Sequence, residues 1–348
     1  MVRLESIKLM CMNTDTENYL RNKILKTTPE NFNETALDVF HFQYLHNETY
    51  RRYCDLLKRA PHTVTTIENI PYLPIKFFKT KKIKTTSFEE EIIFESSGTT
   101  GSVNSRHYVK EKRLYEESFL NSFRYSYGHE NKYCILGLLP SYLERGNSSL
   151  VFMVQKLISG SDNENSGFYL DEYEKLKDVL LQNEALQKPT LLIGVTYALM
   201  DFAEKNNLAL KHTIVMETGG MKGRRTELSR TLVHKKLISG LGVSQIHSEY
   251  GMTELLSQSY SSGNGIFKCS SSMKILLRSE DDPFEITSQI LPGEKLKSGA
   301  VNIIDLANLY SCSFIATDDG GKLYPGGEFE ITGRIENSDM RGCSLLAL

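Results

Sequence analysis

Glu95-Ser96-Ser97-Gly98-Thr99-Thr100-Gly101 comes directly after the apolar run Ile92-Ile93-Phe94. Two glycines free the backbone to turn tightly and bring its N–H groups close to an anion. The interleaved Ser and Thr hydroxyls add donors without bulk. A strand running into such a loop is suited to holding phosphate oxygens. It is not a Walker loop, because the G-x-x-x-x-G-K-[ST] spacing and its lysine are absent. A solvent-facing turn has a similar composition, so the loop takes its meaning from the segments further along the chain.

The 348 residues suffice for one large domain or two ordinary ones. An apolar content of 40% and a charged content of 24% are those of a globular protein, and the net charge of −2 gives no basic field for nucleic acid. No apolar run approaches the roughly 20 residues that span a bilayer. Met1–Leu20 mixes charges throughout and lacks a signal-peptide core, so a cytoplasmic protein is expected. Of the six cysteines (Cys11, Cys54, Cys134, Cys269, Cys312 and Cys343), none forms a C-x-x-C pair or a zinc-spaced His–Cys cluster. All but Cys343 are expected to be reduced, buried and inert.

Apolar and aromatic residues recur at three- and four-residue intervals from Asn18 to Ala60, which predicts helix. Pro61, Pro71 and Pro74 then predict an extended connector up to Lys79. From Glu91 the pattern alternates. Strands are predicted at Glu91–Phe94, Tyr133–Leu139, Thr190–Val195, Thr213–Met216 and Val243–His247. Helices are predicted at Lys110–Ser126, Ser149–Ser159, Asp171–Glu184, Thr196–Asn206 and Arg224–Ser239. This predicts a layered α/β core with largely parallel strands, whose ligands sit beyond the strand carboxyl ends. Past Gly251 the helical signal fades, and short runs such as Met273–Leu277 and Val301–Ile304 predict a β-rich subdomain. The expected organisation is a helical region and connector over 1–80, an α/β core over 81–265, and a β-rich subdomain with a short tail over 266–348.

Three further polar, glycine-bearing segments sit at strand ends. Glu217-Thr218-Gly219-Gly220 allows close backbone approach to a flat ligand such as a purine, or an ordinary turn. In His247-Ser248-Glu249-Tyr250-Gly251-Met252-Thr253-Glu254, Tyr250 can stack on a base, Thr253 can bond a phosphate oxygen, and Glu254 can hold Mg²⁺ with waters. The plainer alternative is a core tyrosine and a solvated glutamate. Thr317-Asp318-Asp319-Gly320, followed by Gly333-Arg334, can place a carboxylate on both ribose hydroxyls or form a hairpin turn.

In this order the segments resemble the adenylate-forming enzymes, the superfamily of acyl-CoA synthetases and nonribosomal adenylation domains. Ser97-Gly98-Thr99-Thr100-Gly101 matches the phosphate loop, and Tyr250-Gly251-Met252-Thr253-Glu254 matches the aromatic–Gly–x–Thr–Glu motif. Thr317-Asp318-Asp319 stands for Thr-Gly-Asp, which makes Asp319 the implied ribose ligand. Gly333-Arg334 matches the Gly-Arg leading to the hinge, with Glu336 near the hinge acid. A closer likeness rests on Leu73-Pro74-Ile75-Lys76-Phe77-Phe78-Lys79, Ser105-Arg106-His107-Tyr108, Leu139-Pro140-Ser141-Tyr142-Leu143, Glu217–Gly223 and Asp339-Met340-Arg341-Gly342-Cys343-Ser344. These resemble the acyl-protein synthetases, the fatty-acid-activating component of the bacterial luminescence reductase complex. Phenylacetate-CoA ligases are the next most similar relatives.

The resemblance implies ATP and Mg²⁺, a fatty or other carboxylic acid substrate, and an acyl reductase or acyl carrier as partner. It implies catalytic roles for Thr253, Glu254 and Cys343, a metal on Glu254, and nucleotide contacts from Ser97, Gly98, Thr99, Thr100, Gly101, Gly219, Gly220, Tyr250, Gly251, Asp319 and Arg334. Leu139–Tyr142 and Ile193–Tyr197 are expected to line the acyl pocket. Two departures stand out. Ser102-Val103-Asn104 replaces the superfamily's Pro-Lys after the phosphate loop, leaving Arg106 or His107 to supply the charge. Only fourteen residues follow Arg334, so the superfamily's C-terminal lid domain and its lysine are expected to be missing. Cys343, nine residues past Arg334, occupies the place where the resembled branch carries its acyl-accepting cysteine; Arg341 would favour its thiolate. On sequence alone, a CoA or carrier-protein ligase and a catalytically silent nucleotide-binding subunit remain open.

Overall fold

A computed structural model describes residues 15–96, 103–140, 146–219 and 228–335. The helical stretch expected over Asn18–Ala60 is divided into α1 (residues 15–25), α2 (Phe32–His46) and α3 (Glu48–Leu56). Asn47 makes the second break. Its backbone is extended, and its Oδ1 accepts the Tyr50 N–H at 3.0 Å, capping α3. Its Nδ2 donates to Ser311 O at 2.9 Å. One turn earlier, buried Gln43 donates through Nε2 to Asn308 O (2.9 Å) and Leu309 O (3.0 Å), while its Oε1 accepts the Ser313 N–H at 2.9 Å. The four-residue spacing puts both amides on one stripe of the helix. That stripe fastens the N-terminal helices to residues 308–313, and Phe40 and Tyr50 seal the joint against Phe314.

The connector is extended only in part, against the expectation of an extended chain up to Lys79: a 3-10 turn at Ile67–Asn69 precedes β1 (Leu73–Pro74), and the one-turn helix α4 (Phe77–Thr80) follows with Phe78 buried. The strand expected at Glu91–Phe94 is β2 (Ile92–Glu95), but it is not a parallel core strand. It pairs antiparallel with β3 (Arg106–Val109), Glu95 opposite Arg106, in a ribbon outside the main sheet. Only Phe94 of its four residues is buried, too little for a strand covered on both faces.

The α/β alternation comes next: α5 (Lys112–Tyr127), β4 (Cys134–Leu138), α6 (Ser149–Gly160), β5 (Gly167–Phe168), α7 (Tyr173–Ala185), β6 (Thr190–Gly194), α8 (Thr196–Glu204), β7 (Thr213–Glu217), α9 (Arg230–Leu241) and β8 (His247–Tyr250). Neighbouring strands here are parallel, and every residue of β4 and β6 is buried, as helices on both faces require. Helix α9 starts at Arg230, with the Ser229 side chain accepting the Leu232 N–H as its cap, and the expected start at Arg224 lies outside the described residues. Strand β8 starts at His247 instead of Val243; its His-Ser-Glu-Tyr sequence has no apolar signature, yet all four residues are buried.

From β8 the sheet continues through antiparallel β9 (Ser259–Ser261), β10 (Ile266–Cys269), β11 (Met273–Arg278), β12 (Ile286–Thr287), β13 (Lys297–Asp305), β14 (Phe314–Leu323) and β15 (Phe329–Arg334). The strand order is β12-β11-β13-β14-β15-β10-β9-β8-β7-β6-β4-β5, with β1 parallel to β14. Parallel pairing gives way to antiparallel pairing at β8–β9. Thr317–Gly320 lies inside β14, with a bulge at Gly320/Gly321, and is not a hairpin turn. Gln43→Ala strips partners from three buried backbone groups and is expected to cost about 2–4 kcal/mol. A lowered urea midpoint at unchanged m-value checks this.

Candidate active site

Strands β6, β7 and β8 end in register, Gly194 beside Glu217 and Glu217 beside Ser248, so their loops leave one edge of the sheet together. Glu217 organises the first of these loops. It is buried at the end of β7, and its Oε2 accepts Thr196 Oγ1 (2.9 Å) and the Gly219 N–H (2.7 Å), with His234 Nε2 at 3.7 Å from Oε1. Burial pushes its carboxyl up, but His234, Ser248, the Gly219 N–H and Thr196 together outweigh that and hold it below the ordinary value. Gly219 turns back at φ +74°, a conformation that glycine adopts without strain, and among the described residues nothing lies within 4 Å of where a side chain would stand.

Beyond β8 the turn Gly251–Glu254 is pinned from three sides. His107 Nδ1 bonds the Thr253 carbonyl at 2.8 Å, and Asn308 Nδ2 donates to the Glu254 carbonyl at 2.7 Å. Asp305, fully buried, accepts the Leu256 and Ser257 N–H groups at 2.7 and 3.0 Å. Gly251 is dictated by space: a Cβ there would stand 2.4 Å from Glu249 Oε1. Glu254 is 5% exposed. Burial pushes its carboxyl up, and the Ser105 hydroxyl, Arg334 and Lys79 pull it back. It is therefore not the solvated glutamate of the plainer reading. Ser105 precedes β3 and is tied to Ser96, its N–H reaching Ser96 Oγ at 2.9 Å. The base of the glycine-rich loop thus stands beside Glu254.

Across the sheet, Tyr250 donates its hydroxyl to Asp319 Oδ2 at 2.9 Å, joining residues 69 apart in sequence. The tyrosine ring is held by Phe267 and Phe329, with centroids at 5.9 and 5.7 Å. Arg334 lies opposite Asp319 in the β14–β15 ladder, its Nε 3.8 Å from Oδ1. Thr317 accepts the Asp319 N–H at 3.1 Å and donates to Val301 O at 2.8 Å, fixing the backbone before the acid. Strand alternation separates the two aspartates. Asp319 turns to Tyr250, whereas Asp318 lines a cavity of about 310 Å³ shared with Tyr53, Tyr72, Arg278 and Phe284.

Of the residues expected to act, Tyr250, Gly251, Thr253 and Glu254 lie at the end of β8 and just beyond it, Asp319 and Arg334 lie on β14 and β15, the bond from Tyr250 to Asp319 spans β9 and β10 between them, and Gly219 follows β7. Ser97, Gly98, Thr99, Thr100, Gly101, Gly220, Glu336 and Cys343 lie outside the described residues. In the expected acyl lining, Tyr197 donates its hydroxyl to Pro140 O at 3.0 Å, bringing the ends of β4 and β6 together. His107 does not supply the missing positive charge. It is wholly buried, and desolvation lowers its pKa to about 4, so it is neutral and serves the Thr253 carbonyl. Arg106 is exposed and paired with Glu95 at 3.1 Å. Cys54, Cys134 and Cys312 are buried as expected, Cys269 is half-buried and Cys11 lies outside the described residues; burial pushes the Cys54, Cys269 and Cys312 thiols up.

Among the described residues no cluster of three or more His, Cys, Asp or Glu side chains could cage a metal. Mg²⁺ is normally held by one or two carboxylates, waters and substrate phosphates. A single buried carboxylate at Glu254, beside the base of a phosphate-type loop, fits an ion that arrives with its nucleotide.

These elements define an adenylate-forming fold. A long-chain-fatty-acid-CoA ligase from Archaeoglobus fulgidus superposes with a TM-score of 0.50 at 15% identity, over 72% of this chain and 53% of that one. The family model described as acyl-protein synthetase, LuxE, matches residues 26–347, and the chain belongs to that family. As a member it is an AMP-forming acyl-protein ligase. The long-chain-fatty-acid–luciferin-component ligase of Aliivibrio fischeri is 25% identical over 344 residues, spanning 88% of this chain and 85% of the relative. The ligase of the same description from Photorhabdus luminescens is 39% identical over 67 residues, 19% of this chain and 57% of the relative. No helix among the described residues is long and apolar enough to cross a membrane.

One buried acid makes stability pH-dependent. Burial, with the Glu217 charge nearby, raises Glu249 from 4.5 to about 8. Gly251, Gln258 and Tyr260 surround it, and Gln258 Oε1 and the Tyr260 hydroxyl find no partner among the described residues. The folded chain keeps this proton where the unfolded chain has lost it, so the stability it carries is full below pH 4.5 and is lost as pH rises through about 8. Glu249→Gln is expected to raise the melting temperature at pH 8.5 relative to the parent and to leave it nearly unchanged at pH 4.5, measured by calorimetry.

Proposed function

We propose that the chain joins a fatty acid to AMP and then takes the acyl group onto Cys343 for delivery to an acyl reductase. The observation that carries the nucleotide half is the 2.9 Å bond from Tyr250 to Asp319, with Arg334 opposite and Glu254 on the adjoining turn. Asp319 offers carboxylate oxygens to the two ribose hydroxyls, the Tyr250 ring and the Gly219 backbone offer a bed for adenine, and Thr253 offers a hydroxyl to the phosphates.

The substrate carboxylate oxygen attacks the α-phosphorus of ATP. The bond from that phosphorus to the bridging oxygen breaks, and pyrophosphate leaves with the electron pair. Two anions must meet, so donors fixed in advance matter more than flexible ones. The Ser97–Gly101 loop, rooted beside Glu254, supplies those donors in this reading. Mg²⁺, when bound at Glu254, would neutralise phosphate charge. The resulting acyl-AMP is a mixed anhydride. The Cys343 thiolate attacks its carbonyl carbon, AMP departs with the bond electrons, and a thioester remains.

Incubation with ATP and labelled fatty acid should label the protein, and neutral hydroxylamine should remove the label. Cys343→Ser should keep carboxylate-dependent ATP–pyrophosphate exchange and lose the protein label. Label that resists hydroxylamine or survives this substitution contradicts the thioester step. Asp319→Ala should raise the KM for ATP about tenfold, the loss of about 1.4 kcal/mol of binding. An unchanged KM removes Asp319 from the nucleotide site.

A further inference from the structure

We propose that the cavity of about 310 Å³ lined by Asp318 binds a free α-amino acid with an apolar or aromatic side chain. Binding there does not depend on the proposed adenylation chemistry. Asp318 lines the cavity on one side of β14, whereas Asp319 turns to Tyr250 on the other. The volume lies at the small end of ligand sites, which run from about 300 to 1,000 Å³ and combine apolar walls with a few convergent polar groups.

Four charged side chains line the cavity, two of each sign: Arg59, Arg278, Glu68 and Asp318. None of the four forms an ion pair among the described residues. Opposite charges around one space close on each other unless they are held apart, and both cations are held by neutral groups. Arg278 donates through Nη1 to Val301 O (2.9 Å) and Asn302 Oδ1 (2.7 Å), and through Nη2 to Thr317 O (2.5 Å). Arg59 Nη1 donates to Asn69 Oδ1 at 3.3 Å. Of the N–H groups on Arg278, the one on Nε and one on Nη2 have no partner among the described residues. Glu68 accepts the Ser288 hydroxyl, and the Asp318 side chain makes no hydrogen bond among the described residues. The Thr317 contact sets the Arg278 guanidinium against the peptide that leads into Asp318, so a cation and an anion share one wall. A carboxylate and an ammonium carried on one carbon are complementary to that pair.

The remaining walls are apolar. Tyr53 gives its hydroxyl to Tyr72 O at 3.1 Å, and Tyr72 gives its own to Ile67 O at 3.0 Å, so the rings are what these tyrosines offer a ligand. Phe284 lines the cavity yet is 56% exposed, and an apolar ligand body against it would take that ring out of water. A fatty acid would bring the apolar body without the ammonium and set its carboxylate among Asp318 and Glu68. A plain amine would leave both arginines unanswered.

The test titrates the full chain by calorimetry with L-phenylalanine, with 3-phenylpropionate, which lacks the ammonium, and with 2-phenylethylamine, which lacks the carboxylate. L-Phenylalanine should bind saturably with a Kd of about 1 mM or tighter, and each single-charge analogue at least about tenfold more weakly. Asp318→Asn should weaken L-phenylalanine to the level of 3-phenylpropionate while leaving 3-phenylpropionate no weaker than before, a split that general damage to the fold does not produce. Phe284→Ala should weaken all three probes alike, and Glu280→Gln, exposed on the same loop, should match the parent. Saturating ATP should leave L-phenylalanine binding in place. Absence of saturable binding, equal binding of the three probes, competition by ATP, or L-phenylalanine affinity undiminished by Asp318→Asn overturns the assignment. The comparison of probes on the parent chain decides it even where a substitution impairs folding.

Discussion

The Asp305 carboxylate is buried among the groups that every other part of this site leans on. It accepts the Leu256 and Ser257 N–H groups, the Ser257 hydroxyl at 2.6 Å and the Ala307 N–H at 3.1 Å. Burial alone would push such a carboxyl far up; these four donors pull it partway back, which is the condition for tolerating a charge at 0% exposure. Through it the end of β13 is locked to the turn that carries Glu254. Through Asn308 and Gln43, the same segment is locked to α2. Helical layer, antiparallel strands and reactive turn therefore share one polar joint. Polar joints are directional in a way apolar contacts are not, so the turn has one position rather than a range.

Much of the architecture is legible in the chain. The parallel strands at Cys134, Thr190 and Thr213 announce themselves because strands covered on both faces must be apolar throughout. Strand β8 escapes that signal for the complementary reason: His247, Ser248 and Glu249 are polar yet buried, and periodicity in hydropathy cannot register that. The break at Asn47 is invisible in sequence because the partner of its amide, Ser311, lies 264 residues away. Strand β3 gives no warning either, since its Arg-His-Tyr-Val sequence reads as neither core nor turn.

The site is legible as motifs and not as mechanics. Tyr250, Glu254 and Asp319 are singled out by their order along the chain, and the alternation of β14 turns Asp319, not Asp318, to Tyr250. What the sequence withholds is the supporting layer: Glu217 under Gly219, His107 under Thr253, Asn308 under Glu254. None has a local signature, because each acts on backbone carbonyls or N–H groups brought in by the fold. His107 shows the hazard plainly. A histidine beside a phosphate loop invites a cationic role, and only its desolvation reveals a neutral ring.

The pairing of β1 with β14 and of β14 with β15 has a bearing on how the protein is made. Leu73 finds its partner at Ile315, and Asp319 is framed only when Arg334 is in place. A ribosome must therefore carry synthesis from Leu73 past Arg334 before these three strands can pair in one ladder.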